Sequence, residues 1–485
     1  MNETNPTHSA VVLLHSNDIH SRLENAAKIA SYIHQTRLRY GEEQVLALDI
    51  GDHMDRARLE TEGSDGEANI SLLHAAGYDA VTLGNNEGLT LTADQLERAY
   101  GGGTSFLTLC ANLKRSGETR RPSWMQPSAI VTRGGIRFGL IGATAAYTEF
   151  YRLLDWEVSE PLDEIREQAE ALRPQADVIV LLSHLGILYD RRIAAELDSI
   201  DLILGAHTHH LLEQPEVYGD TYVCAAGKFG EYVGRVEVGL DPITGKPLIR
   251  AECVPVSALE EYEPAAAVTA RYLESGKHRL GRVVAELREP LPARADQESP
   301  LCNLLAYGLR RWTETEIGLV NAGQLLGGLS AGEVTEGQIH ALCPSPINPC
   351  RMNLSGRDLL RALEESLLEA FIDKPIKGFG FRGFVLGTLA VDGLDIRWDP
   401  SAPDYNKITR ITLSDGRPFD LDRDYAVGTI DMFTFGAGYE SIKLGTEVRY
   451  YLPEFIRGVL ALQLQSEDAL RDCLRPRWTA ESGAL

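Results

Sequence analysis

Cysteine, basic charge and long apolar runs are all scarce in this chain. Its seven cysteines (Cys110, Cys224, Cys253, Cys302, Cys343, Cys350 and Cys473) are odd in number, scattered through 485 residues, and form no Cys-x-x-Cys pair. Such spacing excludes a dense disulfide framework, which belongs to small secreted domains, and implies free thiols in a reducing compartment. No apolar run reaches the length needed to span a bilayer, and Met1 to Pro6 lacks the basic region and apolar core of a signal peptide. A cytoplasmic protein with no membrane partner is the expectation. Lys and Arg number 47 against 70 Asp and Glu, a formal net charge of -23. Partners read through a phosphate backbone select basic surfaces, so nucleic acid is not an expected partner. A small phosphate ester is compatible with this charge where bound cations supply a local positive field.

Hydrophobic residues make up 44% and charged residues 24%, the balance of a globular protein, and the length exceeds one ordinary core, so two domains are expected. From residue 10 to about 240 the sequence alternates between apolar runs of strand length, short polar clusters and stretches with helical spacing. Strands are expected at Ala10 to Leu14, Val45 to Leu48, Ala80 to Leu83, Val178 to Leu182 and Leu202 to Leu204. Between them Ile29, Ile33 and Leu38 can share one helix face, Ser71 to Ala76 and Ala194 to Leu197 read as helical, and Ile165, Ala169 and Leu172 mark a further helix. This alternation predicts an α/β layered domain. Pro264 to Glu274 is rich in helix formers and runs into Ser275-Gly276, so a helix is expected to join the two domains and to end there. Beyond it, turn dipeptides such as Asp392-Gly393 and Asp415-Gly416 multiply and aromatics gather between Phe371 and Tyr451. That texture predicts a strand-rich second domain with one or two helices, such as Leu359 to Leu368.

The polar clusters carry the chemistry. Asp49-Ile50-Gly51-Asp52-His53 ends the Val45 run in a glycine turn and places Asp52 at the carboxyl end of a strand, where open α/β sheets bind ligands. Four more clusters follow apolar runs in the same way: Asn17-Asp18-Ile19-His20, Gly84-Asn85-Asn86-Glu87, Ser183-His184 and Gly205-Ala206-His207-Thr208-His209. Asp18 and His20 are two residues apart and point to one side of an extended segment. Any one cluster alone would be ordinary surface polarity; five in order, each after a strand-like run, imply a shared site. A two-metal hydrolytic site needs one carboxylate shared between two cations, with the other groups as terminal ligands, and Asp52 is placed to be that bridge. A mixed oxygen and imidazole set without thiolate suits two divalent ions of manganese, zinc, iron or cobalt more than calcium.

This ordered motif set resembles the calcineurin-like metallophosphoesterase superfamily and, with the second half of the chain, the two-domain 5'-nucleotidase family. The resemblance implies an N-terminal four-layer αββα domain over residues 1–256, a linker helix over 257–280 and a C-terminal α+β substrate-binding domain over 281–485. By motif, Asp18, His20 and His209 would hold one metal, Asn85, His184 and His207 the other, and Asp52 would bridge them. A metal-bridging hydroxide would then attack phosphorus in line. The activity implied is hydrolysis of nucleotides or related small phosphate esters, as a 5'-nucleotidase or a 2',3'-cyclic phosphodiesterase. The alternatives are a nucleotide-sugar or dinucleotide pyrophosphatase, and a binding or sensor protein that keeps the metals with little turnover. With the metals on one domain and a substrate contact on the other, the joining helix is expected to act as a hinge.

The chain departs from the family at two places. The family's Gly-Asn-His-Glu is here Gly84-Asn85-Asn86-Glu87, and Leu89 stands where an aspartate orients that histidine. An amide donates a hydrogen bond but transfers no proton at useful pH. The candidates for the histidine's catalytic role are therefore Asn86 itself, Glu87, and His53 and His210 beside the ligands. In the second half, Asn321-Ala322-Gly323 looks like the family's Asn-x-Gly turn, with Leu326 in place of a usual arginine. Phe433 fits one of two base-stacking positions, the other falls near Thr388, and the family's Gly-Gly-Asp-Gly-Tyr is shortened to Gly436-Ala437-Gly438-Tyr439. Asn321, Arg351, Arg382, Phe433 and Tyr439 are the substrate-binding candidates.

Overall fold

The computed structural model describes residues 10–481 and divides into two compact units, one ending at Gly276 and one beginning at Lys277. Met1 to Pro6, read above as lacking a signal peptide, lies outside the described residues. Among the described residues, no helix is long and apolar enough to cross a membrane.

The first unit is built on two sheets. One runs in the order Pro247–Pro255, Tyr232–Leu240, Val11–Ser16, Val45–Asp49, Ala80–Thr82, Leu107–Leu109, Met125–Gln126. Its strands from Val11–Ser16 onward are parallel. The other runs Glu216–Tyr218, Thr221–Ala225, Leu202–Gly205, Val178–His184, Ile136–Thr144, Ser128–Arg133, with the middle four parallel. Alternate side chains of the two sheets share one core, in which Leu13, Leu46 and Leu48 meet Phe138, Leu140, Val180 and Leu204. The opposite face of the second sheet, Ile141, Ile179, Leu181 and Ile203, is covered by the helices Pro161–Leu172 and Ile187–Glu196 through Ile165, Ala169 and Ile193. The helix Leu23–Tyr40 packs on the first sheet and against the helix Glu67–Ala76. This is the four-layer αββα arrangement.

Two helix expectations are corrected. Ile29 and Ile33 are buried, but Leu38 is 74% exposed. At about 100° per residue it stands roughly 140° around the helix from Ile33, on the solvent side. The joining helix runs Glu263–Arg279, straight through Ser275-Gly276. Gly276 is a close-packing position and not a terminator: a Cβ there would lie 2.7 Å from Leu59 Cδ2 and 2.8 Å from the Leu59 carbonyl oxygen. Tyr262 stacks on His34 at 4.9 Å, and Tyr272 Oη lies 3.0 Å from Ser71 Oγ, so this helix packs along the first unit as far as Gly276.

The second unit has a five-stranded sheet in the order Leu389–Asp392, Ile317–Asn321, Asp424–Ile430, Pro349–Ser355, Thr446–Tyr450. The helix Pro300–Thr313 packs across it, and the helix Ile456–Leu464 packs against that helix. A three-stranded sheet, Ile408–Leu413, Leu394–Trp398, Trp478–Ala480, joins the same core through Leu394, Ile396 and Leu413.

Candidate metal centre

Because the central strands of both sheets in the first unit are parallel, the five polar clusters emerge at one edge. Two loops form the floor of the site. Asp18 N donates to the Gly51 carbonyl (3.0 Å), His20 N to Asp52 (2.9 Å) and Ser21 N to His53 (2.9 Å), which zips residues 18–21 to 51–53. The loop after Ala80–Thr82 comes close because two positions lack side chains. A Cβ on Gly84 would lie 2.1 Å from Asp52 Oδ1, and one on Gly51, at φ +81°, would lie 2.4 Å from Gly84 N. Asp18, His20, Asp52, His207 and His209 all have φ between 47° and 71°. Non-glycine residues rarely take the left-handed region, at about 1–2 kcal/mol each, so five such residues in one place mark imposed geometry.

Asp18, His20 and His209 present donor atoms within 4.8 Å of one another, and so do Asp18, Asp52 and His184. His20 Nε2 is 3.1 Å from His209 Nε2, and His209 Nε2 is 3.5 Å from Asp18 Oδ1. His184 Nε2 is 3.4 Å from Asp52 Oδ1 and 3.2 Å from Asn85 Oδ1. On its other side His184 Nδ1 donates to the Ile50 carbonyl oxygen at 2.8 Å, which turns Nε2 toward the cluster. His207 lies beside His184, ring centroids 5.2 Å apart, and its backbone N–H donates to the Asp18 carboxylate. The side chains of all seven expected ligands therefore stand at this edge.

Asp18 and Asp52 are buried, and among the described residues only imidazoles pair with them. Burial would raise the Asp52 carboxyl, but the charge and hydrogen bond of His184 prevail and hold it below the usual carboxylate range. Burial would lower His184, and Asp52 instead raises it to about 10. His207 is lowered to about 4 by burial and then by the charge of His184. Two buried carboxylates facing four imidazoles, with no lysine or arginine, form a donor set that fits cations bound among them.

The four catalytic candidates separate by their hydrogen bonds. Asn86 is buried and its amide is saturated: Nδ2 donates to the Met54 carbonyl (2.9 Å) and meets His20 Nδ1 (3.0 Å), while Oδ1 accepts from Asn85 Nδ2 (3.3 Å). Its backbone N–H donates to Asp52 Oδ1 at 2.7 Å. Glu87 accepts three backbone N–H groups, from Asp52 (3.0 Å) and Gly84 (2.8 Å) on Oε2 and from Met54 (2.8 Å) on Oε1. It clamps the two ligand loops together. His53 is buried, with Nδ1 3.0 Å from Asn69 Nδ2, in a network with Ser21 and Thr61; burial lowers it to about 3. His210 is exposed and contacts Thr208 Oγ1 at 3.0 Å.

Sequence reasoning missed Tyr147. Its hydroxyl lies 3.2 Å from His207 Nε2. It follows the strand Ile136–Thr144, whose end carries no carboxylate or imidazole and so gave no donor signal.

In the second unit, three substrate candidates are structural. Phe433 and Tyr439 are 0% exposed and meet edge to face at 5.7 Å, so Phe433 has no face for a base. Tyr439 Oη donates to the Gly387 carbonyl (3.2 Å) and Asn321 Nδ2 to that of Leu386 (2.7 Å), tying down one loop. The exposed stacked aromatics are Phe379 and Phe435, 6.1 Å apart and 22° from parallel. Arg351 lies on the outer face of its strand, opposite the buried Cys350 and Met352, and Arg382 Nη1 donates to the Phe381 carbonyl at 3.3 Å.

Residues 283–443 match the family model of the 5'-nucleotidase C-terminal domain, and residues 24–224 match that of the bacterial capsule synthesis protein PGA_cap. The chain is 38% identical over 460 residues to the uncharacterized metallophosphoesterase YunD of Bacillus subtilis, covering 93% of this chain and 98% of that protein. It is similar to the crystal structure of a 5'-nucleotidase precursor from Thermus thermophilus, at 25% identity and TM-score 0.60, over 97% of this chain and 99% of that one. It shares the fold of the NAD nucleotidase of Haemophilus influenzae, at 17% identity and TM-score 0.66, over 98% and 99% of the two chains. With the αββα unit, the clustered ligands and these matches together, the chain belongs to the two-domain 5'-nucleotidase family of calcineurin-like metallophosphoesterases, which are phosphoric ester hydrolases.

Proposed function

We propose that this chain hydrolyses nucleotides or related small phosphate esters with two divalent ions, Asp18, His20 and His209 holding one, Asn85, His184 and His207 the other, and Asp52 shared between them. The observation that carries the reading is the pair of buried donor triads, Asp18/His20/His209 and Asp18/Asp52/His184, whose carboxylates have only imidazoles as counter-charge. Bound there, divalent ions supply positive charge at the phosphoryl oxygens and an activated water. The protein's own part is orientation. Glu87 fixes the two ligand loops, the Ile50 carbonyl and the Tyr147 hydroxyl set the His184 and His207 rings, and Asn86 supports both Asp52 and His20. Manganese, zinc, iron and cobalt all suit these donors.

The pyrophosphatase alternative is favoured by one observation, the Asn86 amide held among Met54, His20 and Asn85, which supplies no proton to a poor leaving group. A sensor without turnover is opposed by the presence of every expected ligand. A base or other flat group is assigned to the Phe379 and Phe435 pair, whose rings are exposed, in place of Phe433. The seven free cysteines support a reducing, cytoplasmic location, and the net charge opposes nucleic acid. Purified protein assayed with manganese against nucleoside monophosphates, nucleotide sugars, cyclic nucleotides and an aryl phosphate tests the reading. Turnover of none of them, with two ions bound, would favour the sensor.

A further inference from the structure

The loop after the strand Thr221–Ala225 carries Lys228 and Phe229, and at the rim of the metal centre the Phe229 ring also meets Arg22, which precedes the helix Leu23–Tyr40. Ala226 N donates to Asn17 Oδ1 (3.1 Å), Asn17 Nδ2 to the Gly227 carbonyl (2.7 Å), Phe229 N to the Asp18 carbonyl (2.7 Å) and Asn25 Nδ2 to that of Phe229 (2.8 Å). These bonds hold Gly227, Phe229 and Gly230 at φ of 75°, 59° and 62°. A phenylalanine accepts the left-handed region only where its surroundings impose it. Here the imposed turn sets the Phe229 ring against His20, centroids 5.7 Å apart and 69° between planes.

Phe229 carries both cations. Lys228 Nζ lies 4.6 Å from the ring centroid and the Arg22 guanidinium carbon 5.1 Å. Neither forms an ion pair with a carboxylate among the described residues, in a chain with 70 acids against 47 bases. A cation over an aromatic face gains far less than it would from a carboxylate partner, which leaves most of its charge uncompensated. Two partly buried like charges on one ring, beside a centre whose own carboxylates are turned toward imidazoles, are complementary to an anion that arrives with the substrate.

We propose that Arg22 and Lys228 form an anion subsite for a second phosphoryl group joined to the one being hydrolysed, so that the preferred substrates are phosphoanhydrides. This rests on the phosphoesterase reading. Water adds to the reacting phosphorus, the bridging P–O bond breaks, and its electron pair stays on the departing phosphate, whose charge the two cations offset. The water's proton passes to product or solvent. A departing phosphate is a stable anion and needs no proton from the Asn86 position.

The test uses full-length, manganese-loaded parent, Lys228→Ala, Arg22→Ala and Lys228→Arg. The ratio of kcat/KM for ADP to that for an aryl phosphate is expected to fall at least tenfold in each alanine variant, mainly through KM, and to recover in Lys228→Arg. Calorimetry with methylenediphosphonate and with inorganic phosphate gives a second readout, in which the alanine variants lose at least tenfold of the preference for the diphosphonate. An unchanged ratio, an unchanged binding preference, or loss of manganese from the alanine variants would overturn the proposal, the last because the residues would then support the centre itself. If the parent hydrolyses no phosphate ester, the phosphoesterase reading fails on its own, and the calorimetric preference still decides the subsite.

Discussion

Asn86 makes the sharpest quantitative demand on the mechanism. Its nitrogen is held between the Met54 carbonyl and His20 Nδ1 and its oxygen accepts from Asn85, and an amide has no proton to transfer, so the side chain cannot act as a general acid toward a leaving oxygen. Nor do the other candidates replace a proton donor: Glu87 is bonded to backbone amides through both oxygens, His53 faces Asn69, and His210 is exposed beside Thr208. General acid catalysis contributes about 10²–10⁴ in rate, or roughly 3–5 kcal/mol of barrier. That help matters most for an alkoxide and least for a phenolate or phosphate. The parent is therefore expected to show a steep fall in kcat/KM as leaving-group pKa rises along a series of substituted phenyl phosphates, and to be slow on nucleoside monophosphates. Asn86→His combined with Leu89→Asp should flatten the slope, raising rates at the poor-leaving-group end by up to about 10². Manganese content must be matched, because the substitution also removes a hydrogen bond to His20. Equal slopes, or a parent faster on nucleoside monophosphates than on activated esters, would refute the reasoning and direct attention to Tyr147, whose hydroxyl is the nearest unassigned donor.

Three further outcomes are expected. Asp52→Ala should lose both ions by elemental analysis, whereas His20→Ala should weaken chiefly one; two ions retained in the Asp52 variant would remove it from the bridge. Tyr147→Phe should weaken metal binding by about 10–100-fold in a competitive chelator titration, because the orienting contact to His207 Nε2 is lost, while the fold is kept. Asp431 is buried, and burial raises its carboxyl to about 7 against bonds from the Asn348 and Met432 amides that lower it. The native state then holds a proton that the unfolded state releases, so this group erodes stability as pH rises from about 4 to 7, and Asp431→Asn should gain on the parent by a few kcal/mol over that interval in denaturant unfolding.

What could be read from the sequence was what depends on neighbours along the chain. A parallel strand buried on both faces is a continuous apolar run, and the candidate ligands lie between its last residue and four residues beyond it. Asp18, Asp52, Asn85, His184, His207 and His209 were all visible by that rule. The misreadings share a different cause. Leu38 belongs to the pattern by composition, yet its angle around the helix puts it in solvent. Gly276 looked like a terminator because glycine usually marks a helix end, but Leu59 and Gly63 press against the helix there and only a residue without a side chain fits. Phe433 and Phe435 differ by two places in one short turn, and only packing against Tyr439 decides which ring is buried. Tyr147 meets His207, and Arg22 and His20 meet the Phe229 ring, across long stretches of chain, which no local pattern reports. The candidate metal ligands were legible because all the clusters obey one topological rule, whereas the groups proposed to select a substrate obey none, and those are the residues through which the proposed choice between ester and anhydride is to be tested.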